Sequence, residues 1–149
     1  MTEQTHKTIG IAVVEYKGRF LFGIRPPGAS LAGFAEFPGG KCEEAEAPAA
    51  AAVRECWEET GLEIAIRELL MQRRYEYYHG SVDLNFFLCH PTGDPTQHTD
   101  LRGFQWTDLE TLRRMKFPDA NLPVLRMLEQ RLRPTDRGAG FQPAGQEPI

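Results

Sequence analysis

The segment from Ala47 to Thr60 constrains the fold of this chain more than any other. Its sequence, APAAAAVRECWEET, contains four consecutive alanines, and alanine has the highest helix propensity of the amino acids. Pro48 suits the first turn of a helix, where its missing N–H costs nothing, and Gly61 suits a C-terminal cap. The segment is therefore predicted to form a helix that ends at Gly61.

One face of this predicted helix is small and apolar. Four of its residues recur at helical spacing and are expected to pack inward, namely Ala49, Ala52, Val53 and Cys56. Trp57 lies at the margin of this face. Cys56 is therefore interpreted as a small core residue rather than as a nucleophile.

The other face carries three glutamates, because Glu55, Glu58 and Glu59 stand at positions i, i+3 and i+4. Carboxylates at this spacing repel one another, and hard divalent cations take carboxylate oxygens as ligands. The pattern fits either a solvated acidic surface or a metal site. The neighbouring Arg54 either remains free at the surface or holds the Glu46 carboxylate in a bidentate contact that fixes the preceding loop.

The rest of the chain alternates extended segments with turns. Strands or extended pieces are predicted at residues 8–16, 19–25, 35–41, 62–70, 72–78, 82–90 and 103–108. Asp108 is predicted to cap a helix that runs to Met115, and a last helix is predicted over residues 119–132. Residues 1–7 are expected to be flexible and the Gly- and Pro-rich residues 134–149 to form a disordered tail, so that residues 8–133 form one domain.

Composition and charge exclude several classes of protein. Seventeen basic and twenty-one acidic residues give a net charge of -4, which argues against a nucleic acid polymer as partner but not against a single nucleotide. Three cysteines without CxxC spacing argue against a disulfide framework and a structural zinc site. The first residues lack the pattern of a signal peptide, and the chain has no apolar run long enough for a membrane span. We therefore expect a cytoplasmic protein without a membrane partner.

Residues 40–62 resemble the Nudix box. That pattern is a Gly, five residues, a Glu, seven residues, Arg-Glu, an aliphatic residue, one residue, Glu-Glu, one residue, a Gly and an aliphatic residue. Its fixed positions are filled here by Gly40, Glu46, Arg54, Glu55, Glu58, Glu59, Gly61 and Leu62. The one departure is Cys56, where the family usually has Ile, Leu or Val. The resemblance extends over roughly residues 8–132.

The resemblance implies an α/β (α+β) Nudix fold, with a mixed β-sheet sandwiched between helices. It also implies Mg²⁺-dependent hydrolysis, with Mn²⁺ as a possible substitute, of a nucleoside diphosphate linked to another group. Glu55, Glu58 and Glu59 correspond to the metal ligands, and the carbonyl of Gly39 is a further candidate. Glu46 and Arg54 correspond to partners that orient the loop, and with the three glutamates they complete the candidate catalytic set.

Two segments outside the box resemble the MutT-type branch, which sanitises oxidised purine nucleotides. AEFPGGK resembles that branch's WEFPGGK, and FPDANLPVL resembles its FPxANxPV motif. The resemblance implies that Asn121 hydrogen-bonds a purine, since an amide offers both a donor and an acceptor. The other interpretation is that Asn121 caps the last helix. The implied reaction converts 8-oxo-dGTP to the monophosphate and pyrophosphate.

Four further residues are candidates for the site. Arg25 is a candidate phosphate contact, and Asp100 is either an additional acidic ligand or base or a solvated loop residue. Phe37 and Tyr77 are candidates for stacking on a base, with core or rim packing as the alternative. His79, His90 and His98 show no metal-ligand spacing.

Several alternatives remain open at the level of sequence. A nucleotide-binding module without catalysis would keep the same fold, although an intact set of three glutamates disfavours it. Pyrimidine triphosphates, ADP-ribose and dinucleoside polyphosphates are the competing substrates. The expected partner is a small nucleotide, and the sequence makes no prediction of the oligomeric state.

Overall fold

A mixed β-sheet forms the centre of the structure, a computed structural model that describes residues 5–132. The strands are β1 (Thr5–Tyr16), β2 (Arg19–Ile24), β3 (Ala35–Glu36), β4 (Gly39–Lys41), β5 (Ile64–Tyr77), β6 (Gly80–Pro91) and β7 (Gln105–Asp108). The helices are α1 (Pro48–Thr60), α2 (Leu109–Leu112) and α3 (Leu122–Leu132), with 3-10 turns at Pro95–Gln97 and Asp119–Asn121. Within the described part of the chain, none of the helices has the length and apolar character needed to cross a membrane.

The strand order makes the sheet mixed. The main path is β3-β2-β1-β6-β5, with β4 added on β1 and β7 added on β2. β1 and β6 run parallel, from Thr5 opposite Gly80 to Val14 opposite Cys89. The other strand pairs are antiparallel.

Helices cover both faces of this sheet, because the side chains of β1 alternate between two buried clusters. Val13 packs into a cluster that contains residues of α3, including Leu125 and Leu128. Ala12 and Val14 pack into the second cluster, which contains residues of α1. The predicted α/β sandwich is therefore confirmed.

Gly10 determines how closely the first turn of α1 can pack against β1. A Cβ at this position would overlap the Pro48 carbonyl oxygen in the first turn of α1. The absence of a side chain thus lets the helix approach β1 at its N-terminal end. α1 also contacts β4, so that its acidic face lies beside the Gly39–Gly40 backbone.

The predicted helix over residues 47–60 is confirmed. Ala47 is its N-cap, Pro48 lies in the first turn, and Gly61 ends it with a positive φ of 78° and an N–H that donates to the Trp57 carbonyl. Cys56 is fully buried, as expected for a core residue, whereas Trp57 is 56% exposed.

Other boundaries differ from the sequence prediction. Thr5–Lys7, expected to be flexible, belong to β1 because they pair with the start of β6. Residues 64–77 form one strand with two irregularities rather than two segments. The predicted tail, residues 134–149, lies outside the described residues, as do residues 1–4.

The two C-terminal helices are shorter than predicted. Asp108 caps α2 as expected, since its carboxylate accepts the Thr111 N–H at 2.8 Å. However, the Arg113 N–H makes the last bond to a carbonyl four residues back, and the amides of Arg114 and Met115 donate to carbonyls only three residues back, so α2 ends at Leu112. Similarly, Asp119–Asn121 form a 3-10 turn before α3 rather than its first turn.

Candidate active site

The acidic face of α1 meets the backbone that joins β3 to β4. The Gly39 N–H donates to Glu59 Oε1 at 3.2 Å. Gly40 lies against Glu55 so closely that a Cβ there would overlap its carboxylate. Gly40 therefore allows the backbone to approach a carboxylate directly, whereas a Cβ at Gly39 would instead overlap the β1 backbone at Gly10 and Ile11.

Arg54 ties this helix face to the loop before it. Its Nε and Nη2 donate to the two carboxylate oxygens of Glu46, at 2.8 and 2.9 Å. Nη2 also donates to the Lys41 carbonyl at 3.1 Å. The predicted bidentate contact is confirmed, and it fixes the end of β4 to α1.

The same guanidinium also reaches the acidic face. Its Nη1 lies 3.1 Å from Glu55 Oε2 and 3.2 Å from Glu58 Oε1. Arg54 therefore offsets part of the repulsion among the glutamates. Since the Glu58 side chain is 53% exposed, its carboxylate can leave Arg54 without unpacking the core.

Glu46 completes the loop. Its Oε1 accepts the Glu43 N–H at 2.9 Å, in addition to the Arg54 contact. The hydrogen bonds from Arg54 and then from the Glu43 backbone lower the pKa of Glu46 to about 2. Glu46 is therefore ionised across the physiological range and remains a permanent partner of Arg54.

Glu59 is in the opposite electrostatic situation. Burial raises the pKa of this carboxyl to about 8, against the lowering effect of the Gly39 N–H. The negative charge of Glu55, a hydrogen bond with it, and the charge of Glu36 raise it further. Two carboxyls thus compete for one negative charge at the centre of the site.

The oxygen donors of this cluster are of the type that binds a hard divalent cation. Carboxylate oxygens are the ligands that Mg²⁺ prefers, and a cation beside Glu55 and Glu59 would favour their ionised forms and so lower the raised pKa of Glu59. As placed, no group of three His, Cys, Asp or Glu side chains within residues 5–132 converges on one point. Glu58 is instead paired with Arg54, so a third carboxylate ligand requires that side chain to turn.

Glu36 is a site residue that the sequence interpretation missed. It accepts a hydrogen bond from Arg25 Nη1 at 3.0 Å, and its charge acts on Glu59. Arg25 also donates to the Ser30 carbonyl at 2.6 Å, so it holds the β2–β3 loop. The available signal was strand alternation, since Ala35 and Phe37 are buried and Glu36 between them must point away from that core.

Asn121 lies on a segment that runs beside β3. The Ala35 N–H donates to the Lys116 carbonyl at 2.8 Å, and the rings of Phe37 and Phe117 lie 5.0 Å apart. Asn121 is partly buried, and its Nδ2 donates to the Pro118 carbonyl at 3.3 Å. Its amide therefore closes the 3-10 turn, and the proposed role in base recognition remains a prediction.

Phe37 and Tyr77, the two residues predicted to stack on a base, lie at different places in the fold. Phe37 is 6% exposed and packs on Phe117, so it is a core residue rather than a stacking surface. Tyr77 pairs with Gly80 at the β5–β6 turn, next to Thr5 and roughly 16 Å along β1 from Gly10.

Within residues 5–132, no hydrogen bond or ion pair joins Asp100 to the glutamates of α1. Its carboxylate accepts the Arg102 N–H at 3.1 Å within its own loop. Arg102 in turn donates to the Glu58 carbonyl at 2.6 Å, so this loop contacts the end of α1 through the arginine.

Comparisons with known proteins agree with this geometry. The chain matches the NUDIX domain family over residues 4–128. It is 32% identical over 124 residues to 8-oxo-dGTP diphosphatase of Escherichia coli (strain K12), which covers 82% of this chain and 95% of that protein. It is 28% identical over 127 residues to CTP pyrophosphohydrolase of the same organism, covering 84% and 94%. The solution structure of the E. coli ORF135 protein superposes with a TM-score of 0.70 at 26% identity, covering 92% and 96%.

The chain therefore belongs to the Nudix family. It is a MutT-type member and a hydrolase that acts on phosphoric anhydride bonds. The match to the family and the geometry of α1 concern the same residues, since Glu46, Glu55 and Glu58, three fixed positions of the box, all contact Arg54.

Proposed function

We propose that this protein is a magnesium-dependent pyrophosphohydrolase that converts a nucleoside triphosphate to the monophosphate and pyrophosphate. The observation that carries the proposal is the packing of Glu55 and Glu59 against the Gly39–Gly40 backbone. Glu55 and Glu59 lie side by side and are only partly exposed, an arrangement that costs free energy. Arg54 offsets this cost at Glu55, and a bound divalent cation would offset it at both carboxyls.

Glu55, Glu58, Glu59 and the Gly39 carbonyl would hold the Mg²⁺. When bound, the ion would neutralise the polyphosphate and supply an activated water. The chain's own groups position these ligands: Arg54 is fixed by Glu46 and lies within hydrogen-bond distance of Glu55 and Glu58. A carboxylate of the cluster would accept the proton of the attacking water. No covalent protein intermediate is required.

We further propose an oxidised purine nucleotide, 8-oxo-dGTP, as the substrate. The support is Asn121, whose amide can both donate to and accept from a purine edge, and which follows the segment that pairs with β3 through the Lys116 carbonyl. The similarity to a protein named 8-oxo-dGTP diphosphatase is consistent with it.

A cytidine triphosphate is the second candidate. It is favoured by the similarity to CTP pyrophosphohydrolase, which covers a slightly larger share of this chain. An amide can also pair with the edge of cytosine, so Asn121 does not distinguish the two bases by chemistry alone.

A substrate screen tests both proposals. The purified protein is incubated with 8-oxo-dGTP, dGTP, CTP, dCTP, ADP-ribose and a dinucleoside polyphosphate, with Mg²⁺ or with EDTA, and the products are separated. We expect pyrophosphate and a monophosphate, the highest kcat/KM for 8-oxo-dGTP, and no reaction in EDTA. A higher kcat/KM for CTP would overturn the purine assignment, and turnover in thoroughly metal-stripped protein would overturn the mechanism.

A further inference from the structure

A cavity lies at the end of the sheet opposite the turn that joins β5 to β6. It has a volume of about 700 Å³ and is formed by the β1–β2 turn, the loop before β7, and β7 itself. Small-molecule sites typically have volumes of roughly 300–1,000 Å³. The cavity lining includes Tyr16, Lys17, Arg19, Phe104 and Trp106.

Aromatic rings form one part of the cavity lining. The rings of Tyr16 and Trp106 have centroids 6.4 Å apart and are tilted by 56°, and Phe104 lines the same cavity. Phe104 and Trp106 are anchored by packing on the buried cluster that includes α1. Fixed rings of this kind provide a stacking surface for a planar ligand at little cost in side-chain entropy.

Cationic side chains form another part of the cavity lining. Lys17 and Arg19 both line the cavity and are exposed, and the Lys17 Nζ lies 5.3 Å from the Tyr16 ring centroid. The acidic residue in the lining is Asp94, whose carboxylate accepts the N–H and Oγ1–H of Thr96 at 3.0 and 2.6 Å. Because the lining contains two cations and one carboxylate, its excess of positive charge favours an anionic ligand.

His98 supplies an unpartnered polar atom. Across residues 5–132, its Nε2 is the buried side-chain nitrogen or oxygen for which no hydrogen-bond partner is found. A buried ring nitrogen without a partner costs free energy, and such atoms in native proteins call for an explanation. This nitrogen has no accessible surface and lies beside Gly61 at the end of α1, so a ligand in the cavity does not reach it.

This cavity is separate from the candidate active site. Tyr16 lies six positions beyond Gly10 along β1, which is roughly 20 Å in an extended strand. The lining contains no residue of the Gly40–Leu62 segment.

We propose that this cavity binds a planar heteroaromatic ring that carries a phosphate, of the nucleoside monophosphate class. The rings of Tyr16, Phe104 and Trp106 hold the base, and Lys17 and Arg19 hold the phosphate. The proposal does not depend on the proposed function, because it concerns different residues and requires neither metal nor turnover.

The test is an NMR titration of the ¹⁵N-labelled full-length protein in EDTA with GMP and with CMP, which also locates the ligand. We expect shifts of the Trp106 indole N–H and of the amides of residues 16–19 and 94–106. The Trp57 indole on α1 serves as the internal reference. Guanosine and cytidine, which lack the phosphate, should bind about 10-fold more weakly, since they forgo the charge-assisted contacts.

Variants separate the cavity from the active site. Lys17→Ala combined with Arg19→Ala should weaken GMP binding about 10-fold or more, with the melting temperature unchanged because both side chains are exposed. Arg67→Ala, which removes an exposed cation on β5, should bind as the wild type does. No shift at Trp106 at millimolar nucleotide, shifts confined to residues 36–59 and 117–121, or equal binding by the double variant would each overturn the proposal.

Discussion

At the scale of single residues, the site depends on groups that no other residue type could replace. Arg54 makes a bidentate contact with Glu46 and also reaches a backbone carbonyl and two more carboxylates. A lysine has a single ammonium group and could not span these acceptors. The absence of a side chain at Gly40 is equally specific, because it admits the Glu55 carboxylate.

Gly40→Ala should therefore impair activity strongly, although it adds only one methyl group. The new Cβ would overlap the Glu55 carboxylate and displace a predicted ligand, and misplacement by about 1 Å can cost roughly 100-fold in rate. The measurement is kcat/KM with Mg²⁺, together with the melting temperature. Gly93→Ala is the matched control, since a Cβ at Gly93 meets no atom within 4 Å. Equal activity of the two variants would contradict this account of Gly40.

Asn121→Ala tests base recognition at the same scale. If the amide reads a purine edge, the variant should lose about 1–3 kcal/mol of discrimination, or roughly 5- to 150-fold in kcat/KM, between 8-oxo-dGTP and dGTP. Asp119→Ala, an exposed neighbour on the same 3-10 turn, is the control. An equal loss for 8-oxo-dGTP, dGTP and dCTP would instead show that Asn121 only closes its turn through the Pro118 carbonyl.

At the scale of elements, α1 presents the three glutamates from one rigid scaffold. It is held by Gly10 and β4 at its start and by Arg102, which donates to the Glu58 carbonyl, at its end. A helix fixed at both ends keeps the carboxylates at constant spacing, which a flexible loop could not do.

Glu58→Gln should lower kcat by roughly 100-fold, the size typical of losing one group that stabilises transition-state charge. The fold should persist, because this side chain is largely exposed and contacts Arg54 rather than the core. Steady-state kinetics at saturating Mg²⁺ and a circular dichroism melt measure the two effects. The exposed loop residue Glu44, changed to Gln, provides the control. Near wild-type kcat in Glu58→Gln would remove this residue from the ligand set.

Which elements could be predicted depends on where their determinants lie. The signals for α1 are local, an alanine run between Pro48 and Gly61, and they predicted the helix and its acidic face. The pairing of Thr5–Lys7 with β6 is a contact across more than seventy positions, which local propensity does not contain. The early end of α2 likewise results from tighter turns that its capping residue does not reveal.

The same distinction applies within the site. Arg54 and Glu46 lie eight residues apart around one helix start, so their contact could be predicted. Glu36 was missed, and Phe37 and Tyr77 were assigned to the substrate, because their surroundings are set by strands and turns distant in sequence.

At the scale of the whole molecule, metal binding should stabilise the fold. A ligand that binds only the folded state at 100 times its Kd adds about 2.7 kcal/mol to the free energy of unfolding. For a chain of this size, that corresponds to a rise in melting temperature of about 5–10 °C. Thermal melts with Mg²⁺ and with EDTA should show this rise in the wild type. A double variant, Glu55→Gln with Glu59→Gln, should show little of it, and an equal rise in both proteins would place the ion elsewhere.

The pH dependence of stability in EDTA provides a separate test of the buried carboxyl. Burial raises the pKa of Glu59 from 4.5 to about 8, so the folded state binds a proton that the unfolded state releases over this range. The contribution of this group to stability is therefore fully present below about pH 4.5 and is lost as the pH rises to about 8.

Histidines also titrate in this window, so the informative quantity is the difference in melting temperature between the wild type and Glu59→Gln. The glutamine keeps the shape of a protonated carboxyl but does not ionise. The wild type should match the variant near pH 5 and fall progressively below it toward pH 8, with no further divergence above about pH 9. Mg²⁺ should reduce the divergence, because a cation favours the ionised carboxylate. Parallel curves across this range in EDTA would mean that Glu59 is already ionised without metal, and that Glu55 and Glu59 do not compete for one charge.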